Sequence, residues 1–136
     1  MGKKTVKWIP IGMILEHEEI ESRRLKVLEE EIRNNWRVVP IIVTDSDRQD
    51  KYVVLDGHHR LNALIALDVK KIPCIVVDYK EIELKHWREE YSHITKEDVI
   101  RTALAGKKLP NKTTRHILDF FPEEYTVSLP APKNPS

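Results

Sequence analysis

Apolar residues recur along the chain with two different periods, which divide it into helices and strands. Over residues 18–36 they return every three or four positions, the period of a helix with one buried face. The same period covers residues 61–67 and 96–105, the latter with Thr95 as N-cap and Gly106 as a stop. The pattern therefore predicts three helices.

Shorter apolar runs between the helices predict a β-sheet. The runs are residues 5–11, 38–44, 52–55 and 72–77. The run 72–77 is apolar almost throughout, which is typical of a strand covered on both faces. In the run 38–44, Pro40 indicates either an edge strand or a position early in the strand. We therefore expect an α+β fold, a mixed sheet of about four to six strands with helices packed against it.

Length and charge narrow the class of protein. A chain of 136 residues is typical of one domain, which we expect over residues 1–128, with the Pro-rich residues 129–136 as a flexible tail. The net charge of +1 does not favour a nucleic-acid partner. With neither a signal peptide nor an apolar stretch approaching about 20 residues, we expect a cytoplasmic protein without a membrane partner. Cys74, the only cysteine, lies in an apolar run and is interpreted as a packing residue.

The junction between the third strand and the second helix carries a dense polar cluster, Asp56-Gly57-His58-His59-Arg60. The first N–H groups of a helix have no intrahelical partner and attract anions. The guanidinium of Arg60 matches the geometry of phosphate oxygens. Asp56 admits two interpretations, an N-cap of the helix or a ligand of Mg²⁺. The cluster predicts an anion site, most simply for phosphate.

Several segments together resemble the ParB/sulfiredoxin superfamily, and more closely its archaeal free L-serine kinases. The 56–60 turn followed by an apolar helix matches the superfamily signature, and His17-Glu18 and Trp87 match a His-Glu pair and a Trp of the kinases. Residues 111–118, Asn-Lys-Thr-Thr-Arg-His-Ile-Leu, are similar to a further kinase segment. The chain departs from longer members in lacking an inserted subdomain between Trp87 and Lys112, and in having Asn111 where they have Pro.

The resemblance implies a compact ParB/sulfiredoxin-like kinase domain that phosphorylates free L-serine to O-phosphoserine. The donor would be Mg-ATP, with ADP as the alternative, and the protein would be a monomer or a small homo-oligomer. The implied catalytic residues are Glu18 as general base, Asp56 and His59. The implied nucleotide and phosphate ligands are Gly57, His58, His59, Arg60, Thr113, Thr114, Arg115 and His116. The implied serine ligands are Trp87, Lys112 and Asp56, and Asp56 would also hold Mg²⁺.

Each of these residues also has an interpretation without catalysis. Glu18 could be a first-turn helix charge, residues 112–116 a polar turn that enters an edge strand, and Trp87 a half-buried core residue. For the 56–60 cluster a solvated turn is the alternative. The residue types and the resemblance together favour function.

Two other functions share the superfamily signature. A ParB-like partition module would bind nucleotide without kinase activity, but such proteins carry a separate DNA-binding domain and the charge here is nearly neutral. A sulfiredoxin-like reductase needs a nucleophilic cysteine inside the signature, where this chain has His58.

Composition yields a first prediction. Charged residues make up 33% of the chain, mostly Lys, Arg and Glu, and Gln49 is the only glutamine, a bias typical of thermophilic proteins. We expect thermal unfolding above the range of about 45–65 °C that is usual for mesophilic domains. Scanning calorimetry would measure it, and a midpoint near about 50 °C would contradict the inference.

Overall fold

The computed structural model describes residues 4–48 and 50–130. In chain order the strands and helices are β1 Val6–Pro10, β2 Ile14–Leu15, α1 Ser22–Asn35, β3 Arg37–Val38, β4 Ile41–Asp45, β5 Tyr52–Asp56, α2 His58–Ala66, β6 Lys71–Val77, β7 Glu83–Lys85, α3 Lys96–Leu104, β8 Arg115–Ile117 and β9 Val127–Ser128. Short 3₁₀ turns connect several of them.

A five-stranded mixed sheet in the order β1-β6-β4-β5-β2 forms the centre of the fold. β4 runs parallel to β6 and β2 runs parallel to β5, whereas the β1–β6 and β4–β5 pairs are antiparallel. Two small ladders, β3–β9 and β7–β8, lie outside this sheet. The predicted α+β class with a mixed sheet is confirmed.

Apolar side chains of the central strands alternate between two cores, one on each face of the sheet. Ile41 and Val43 face the core that α1 and α2 cover, and Ile42 faces the core that α3 covers. β6 contributes to both, with Cys74 on the first side and Ile75 on the second. The continuous apolar run of β6 thus reflects a strand covered on both faces, as its sequence predicts.

Three predicted elements differ from the observed ones by more than one residue at a boundary. The run 38–44 is broken into β3 and β4 around Pro40, and β4 lies in the middle of the sheet rather than at its edge. Proline has no N–H to donate, so it precedes the central strand instead of joining it. α1 begins at Ser22, so Glu18 precedes the helix, and α2 begins three residues earlier than predicted, at His58.

The third helix agrees with its sequence signals. Thr95 is the N-cap of α3 and forms a capping box with Asp98, each side chain accepting the other residue's main-chain N–H. Gly106 follows the helix with a φ of +71°.

The end of the described chain is anchored to the first core. Leu129, where we expected a tail to begin, is 5% exposed, and its N–H donates to the carbonyl of Trp36 over 2.9 Å. The indole N–H of Trp36 in turn donates to the carbonyl of Pro130. The rest of the predicted tail, residues 131–136, lies outside the described residues.

Cys74 is fully buried, and burial raises the pKa of its thiol to about 12. It therefore packs as a small apolar residue. Among the described residues, none of the helices has the length and apolar character needed to cross a membrane.

Candidate active site

A cavity of about 580 Å³ opens where β5 ends and α2 begins. Its volume is in the range of small-molecule sites. Most of the site residues predicted from sequence line it: Glu18, Asp56, Gly57, His58, His59, Arg60, Trp87, Lys112, Thr114, Arg115 and His116. The remaining one, Thr113, lies buried directly behind this wall.

The turn from β5 into α2 depends on Gly57. Its φ is +107°, a backbone conformation that is unfavourable for other residues. A Cβ at this position would lie 2.7 Å from Ile41 Cγ2 and 3.0 Å from an Arg60 Nη2 atom. Glycine therefore permits both the turn and the close packing of α2 on β4.

The N-terminus of α2 receives no side-chain cap. Asp56 thus does not serve as the N-cap, which was one of its two sequence interpretations. The first N–H groups of the helix remain available for an acceptor from outside the helix, and the helix dipole favours an anion there.

Arg60 is held beside this helix end. Its Nη2 donates to the carbonyl of Pro40 over 3.2 Å and lies 3.6 Å from Asp56 Oδ2. Its Nε is buried without a hydrogen-bond partner. Asp56 itself is exposed at the cavity. The guanidinium is thus positioned but still has an N–H left to donate.

Glu18 reaches the cavity from an extended segment before α1. Residues 17–19 pair with Leu109. The Leu109 N–H donates to the carbonyl of His17 over 2.7 Å, and the Glu19 N–H donates to the carbonyl of Leu109 over 2.8 Å. This pairing brings the 110–116 segment beside Glu18. The main-chain N–H groups of Thr113 and Thr114 then both donate to Glu18 Oε1.

The environment of Glu18 changes its proton affinity. Burial raises the pKa of the carboxyl above its usual value, the two N–H donors lower it in part, and the charge of Asp56 raises it further. The net direction is upward. A carboxylate with raised proton affinity is a better proton acceptor near neutral pH than a solvated one.

The threonines of the second motif serve Glu18 and the fold. Thr113 and Thr114 are 0% and 6% exposed, and their N–H groups are already used by the carboxylate. The Thr113 hydroxyl donates to the carbonyl of Pro110, whereas Thr114 Oγ1 is buried without a partner. Of the two hydroxyls, only that of Thr114 is left for a ligand.

Three histidine rings pack together at the cavity, and His58 and His116 are among its lining residues. His17 and His58 lie edge to face with their centroids 4.5 Å apart, and His17 and His116 are 6.0 Å apart. Nε2 of His116 lies 2.8 Å from the hydroxyl of Tyr79. Burial and the neighbouring imidazole of His116 lower the pKa of His17 to about 3, and burial lowers that of His116 to about 4. The pKa of His58 is also well below its usual value, mainly through burial. All three are therefore neutral at pH 7.

His59 joins the two helices that border the cavity. Its Nε2 accepts the N–H of Glu21, the residue that precedes α1, over 2.9 Å. Burial and the charge of Arg24 lower its pKa. The ring thus replaces a side-chain cap at the start of α1.

The outer rim of the cavity is basic and aromatic. The Arg115 guanidinium lies 4.8 Å from the centroid of the Trp87 ring, a cation–π contact. Trp87 is 55% exposed, which excludes the core interpretation of this residue. Lys112, with a φ of +61°, is exposed on the same rim.

The sequence reasoning missed one wall of the cavity and one buried partner. Arg24, Val27 and Leu28 of α1 line the cavity, although the period of α1 indicated only a core face and a solvated face. Val27 is 54% exposed. Its apolar side chain lies outside the helical positions that face the core, and this was the signal in the sequence for a second apolar contact surface on α1. Tyr79, the partner of His116, carried no signal that the sequence could reveal.

The described residues contain no cluster of three or more His, Cys, Asp or Glu side chains arranged to hold a metal. Mg²⁺ does not need such a cluster, because it is usually bound through one or two carboxylates together with substrate phosphates. The exposed carboxylate of Asp56 beside an anion site fits that kind of binding.

Residues 3–87 match the family model of the ParB N-terminal domain. The chain belongs to the ParB N-terminal domain family. The match covers the sheet, the Glu18 segment and the 56–60 turn, so the ParB-like assignment made from sequence is confirmed.

Curated relatives and solved structures extend the comparison. The chain is 43% identical over 82 residues to an ATP-dependent L-serine kinase of Desulfurococcus mucosus, covering 58% of this chain and 32% of that protein. It is 48% identical over 82 residues to the ATP-dependent L-serine kinase of Staphylothermus marinus, with the same coverage of each chain. It thus spans about a third of the length of these relatives.

A solved structure, a free serine kinase variant in complex with ADP, superposes with a TM-score of 0.75 at 16% identity, covering 87% of this chain and 90% of that chain. This likeness shows that the two proteins share the fold. It also extends past residue 87, beyond the part matched by the family model.

The Gly57 turn generates a prediction about stability. Gly57→Ala should destabilise this ParB N-terminal domain by about 2 kcal/mol or more, because it adds a clash to the usual ~1–2 kcal/mol of left-handed strain. Gly106→Ala is the matched control, since its φ is +71° but nothing lies within 4 Å of the added Cβ. Urea unfolding would measure both. Equal losses in the two variants would show that the packing on Ile41 is unimportant.

The neutral histidines predict a pH-dependent stability. A histidine whose pKa falls from 6.5 to about 3 on folding stabilises the fold above pH 6.5, and this contribution is lost as the pH falls from 6.5 towards 3. Each such group costs up to about 1.4 kcal/mol per pH unit in that window. The raised pKa of Glu18 acts in the opposite direction and partly offsets the loss.

Urea unfolding at pH 7.0 and 5.5 would test this prediction. We expect the wild type to lose more stability than His17→Leu, which removes one of the buried imidazoles. Identical slopes against pH would contradict the assignment of His17 as a buried neutral group. Each protein is compared with itself at the two pH values, so an overall change in stability caused by the substitution does not affect the test.

Proposed function

We propose that this ParB N-terminal domain is a free L-serine kinase that transfers a phosphoryl group from a nucleotide to the serine hydroxyl, giving O-phospho-L-serine. The observation that carries the proposal is a juxtaposition in one cavity. A buried carboxylate with raised pKa, Glu18, lines the same cavity as an uncapped helix N-terminus flanked by Arg60. A base beside an anion site is what phosphoryl transfer to an alcohol requires.

Glu18 is the general base in this proposal. Two main-chain N–H groups hold Oε1, so the direction of the carboxylate is set before any substrate arrives. It would take the proton of the serine hydroxyl as the oxygen attacks the terminal phosphorus, and the nucleotide would leave with one phosphate fewer. A fixed acceptor lowers the barrier because an alcohol is a weak nucleophile while it keeps its proton.

The phosphates would bind at the α2 N-terminus. The main-chain N–H groups of the first turn supply donors there, and the guanidinium of Arg60 and the rim cation Arg115 supply positive charge. Asp56 would hold Mg²⁺, which neutralises phosphate charge during transfer when it is bound. The apolar side chains of Val27 and Leu28 offer a contact surface for the nucleotide base.

The serine would lie between the base and the rim. Trp87 and Lys112 border the outer side of the cavity. The Lys112 ammonium is suited to the serine carboxylate, and the indole of Trp87 supplies a wall that is already ordered by its contact with Arg115.

The names of the relatives support a nucleotide as the phosphoryl donor and L-serine as the acceptor. Two proteins above 40% identity over 82 residues are named ATP-dependent L-serine kinases, and the superposed free serine kinase variant was solved with ADP. We therefore favour ATP as the donor, with ADP as the alternative.

The decisive experiment is an assay of phosphoserine formation with ATP, with ADP and without nucleotide, in the presence of Mg²⁺. We expect phosphoserine from at least one donor, and Glu18→Gln should lower kcat by about 10²–10⁴-fold. The glutamine keeps an oxygen that can accept both N–H groups but cannot take the proton. Glu97→Gln, at an exposed residue in the first turn of α3, is the control and should leave kcat unchanged.

Other results of this assay would support different conclusions. Wild-type protein that forms no phosphoserine with either donor would overturn the proposal. Nucleotide binding without any transfer would favour the second candidate, a ParB-like nucleotide-binding module, which the family match itself supports. Full activity in Glu18→Gln would remove only the base assignment.

A further inference from the structure

His58 lies at the anion site, where its ring is largely buried and close to Glu18. His58 is the first residue of α2 and is 6% exposed. One ring nitrogen, Nε2, accepts the main-chain N–H of His17 over 3.3 Å. The other, Nδ1, lies 4.0 Å from Glu18 Oε2. Both nitrogens are therefore directed at the segment that carries the proposed base.

The hydrogen bond from His17 determines where the ring proton lies. A nitrogen that accepts a hydrogen bond carries no proton, so Nε2 is bare. The remaining proton of a neutral imidazole is then on Nδ1. His58 consequently presents an N–H, and not a lone pair, to Glu18.

The two oxygens of Glu18 are held in different ways. Oε1 accepts the N–H groups of Thr113 and Thr114, while Oε2 lies near Nδ1 of His58. The separation of 4.0 Å is about 1 Å longer than a hydrogen bond. Catalytic hydrogen bonds are often long in ligand-free proteins and shorten when the substrate binds.

We propose that His58 is a positioning residue for Glu18, and that its Nδ1–H holds Oε2 so that the remaining lone pair of that oxygen faces the serine hydroxyl. This inference rests on the proposed function and extends it. In the transfer step Glu18 gains the hydroxyl proton, and His58 neither gains nor loses one. The ring is thus a fixed donor and not a proton relay.

The same geometry separates His58 from the phosphate ligands. Nε2 is bonded to His17, and an Nδ1–H that holds Glu18 Oε2 would leave neither ring nitrogen to bind a phosphate oxygen. A phosphate at the α2 N-terminus would contact the main chain of residue 58. Loss of the ring should therefore affect kcat and not the KM for nucleotide.

The tautomer can be tested on the wild-type protein without any activity. Long-range ¹H–¹⁵N NMR distinguishes the two neutral forms of an imidazole, and we expect His58 to carry its proton on Nδ1. A proton on Nε2 would overturn the inference. This outcome does not depend on phosphoserine formation, so it separates failure of the inference from failure of the proposed function.

Two substitutions test the two ring nitrogens of His58 separately. In His58→Asn the side-chain nitrogen is attached to Cγ, as Nδ1 is, and can still donate to Glu18. In His58→Gln the amide lies at the position of Nε2, so it can bond to His17 but not to Glu18. His93→Asn, at an exposed histidine outside the cavity lining, is the matched control.

We expect His58→Gln to lower kcat roughly 10- to 100-fold, as for loss of a hydrogen bond to a charged group. The KM for nucleotide should stay within about twofold, and His58→Asn should recover most of kcat. A raised nucleotide KM with unchanged kcat, or equal losses of kcat in both variants, would overturn the inference. If either variant does not fold, as judged by circular dichroism, a wild-type proton on Nε2 would still overturn the inference.

Discussion

The site depends on one buried carboxylate that joins two distant parts of the chain. Glu18 is 9% exposed, and an unpaired carboxylate at such a position would be costly. The N–H groups of Thr113 and Thr114, 95 and 96 residues away in sequence, satisfy one of its oxygens. They can do so because Leu109 pairs with residues 17–19 like a neighbouring strand. The wall of the cavity thus exists only when both segments are folded.

Burial has a second consequence in the same region. Excluding water from Glu18 raises the pKa of this carboxyl, whereas excluding it from His17, His58 and His116 lowers the pKa of each imidazole. Both shifts favour the uncharged form, since desolvation disfavours charge. The result is a proton acceptor that lines the same cavity as neutral imidazoles, a helix end and a basic rim that favour anions.

Local signals predicted most of the elements and failed where packing sets the boundaries. The periodicity of α3 and its Thr95–Asp98 capping box act within a few residues and were visible in sequence. The break at Pro40 was only partly visible, because its effect depends on whether β4 lies at the centre or the edge of the sheet. Glu18 was placed in a helix because its neighbours fit the helical period, but its pairing with Leu109 is a tertiary contact.

The sequence by itself determined the α+β class, the anion-attracting turn at residues 56–60 and the residue types of the site, since these follow from local periodicity, glycine and charge. Only the tertiary structure decided which of these side chains line the cavity and which contact each other. The N–H groups of Thr113 and Thr114, two residues predicted as phosphate ligands, donate to Glu18, and Nδ1 of His58 lies 4.0 Å from the same carboxylate. Burial, distance and hydrogen-bond direction separate these roles, and they arise only when segments about 40 and 95 residues apart pack together.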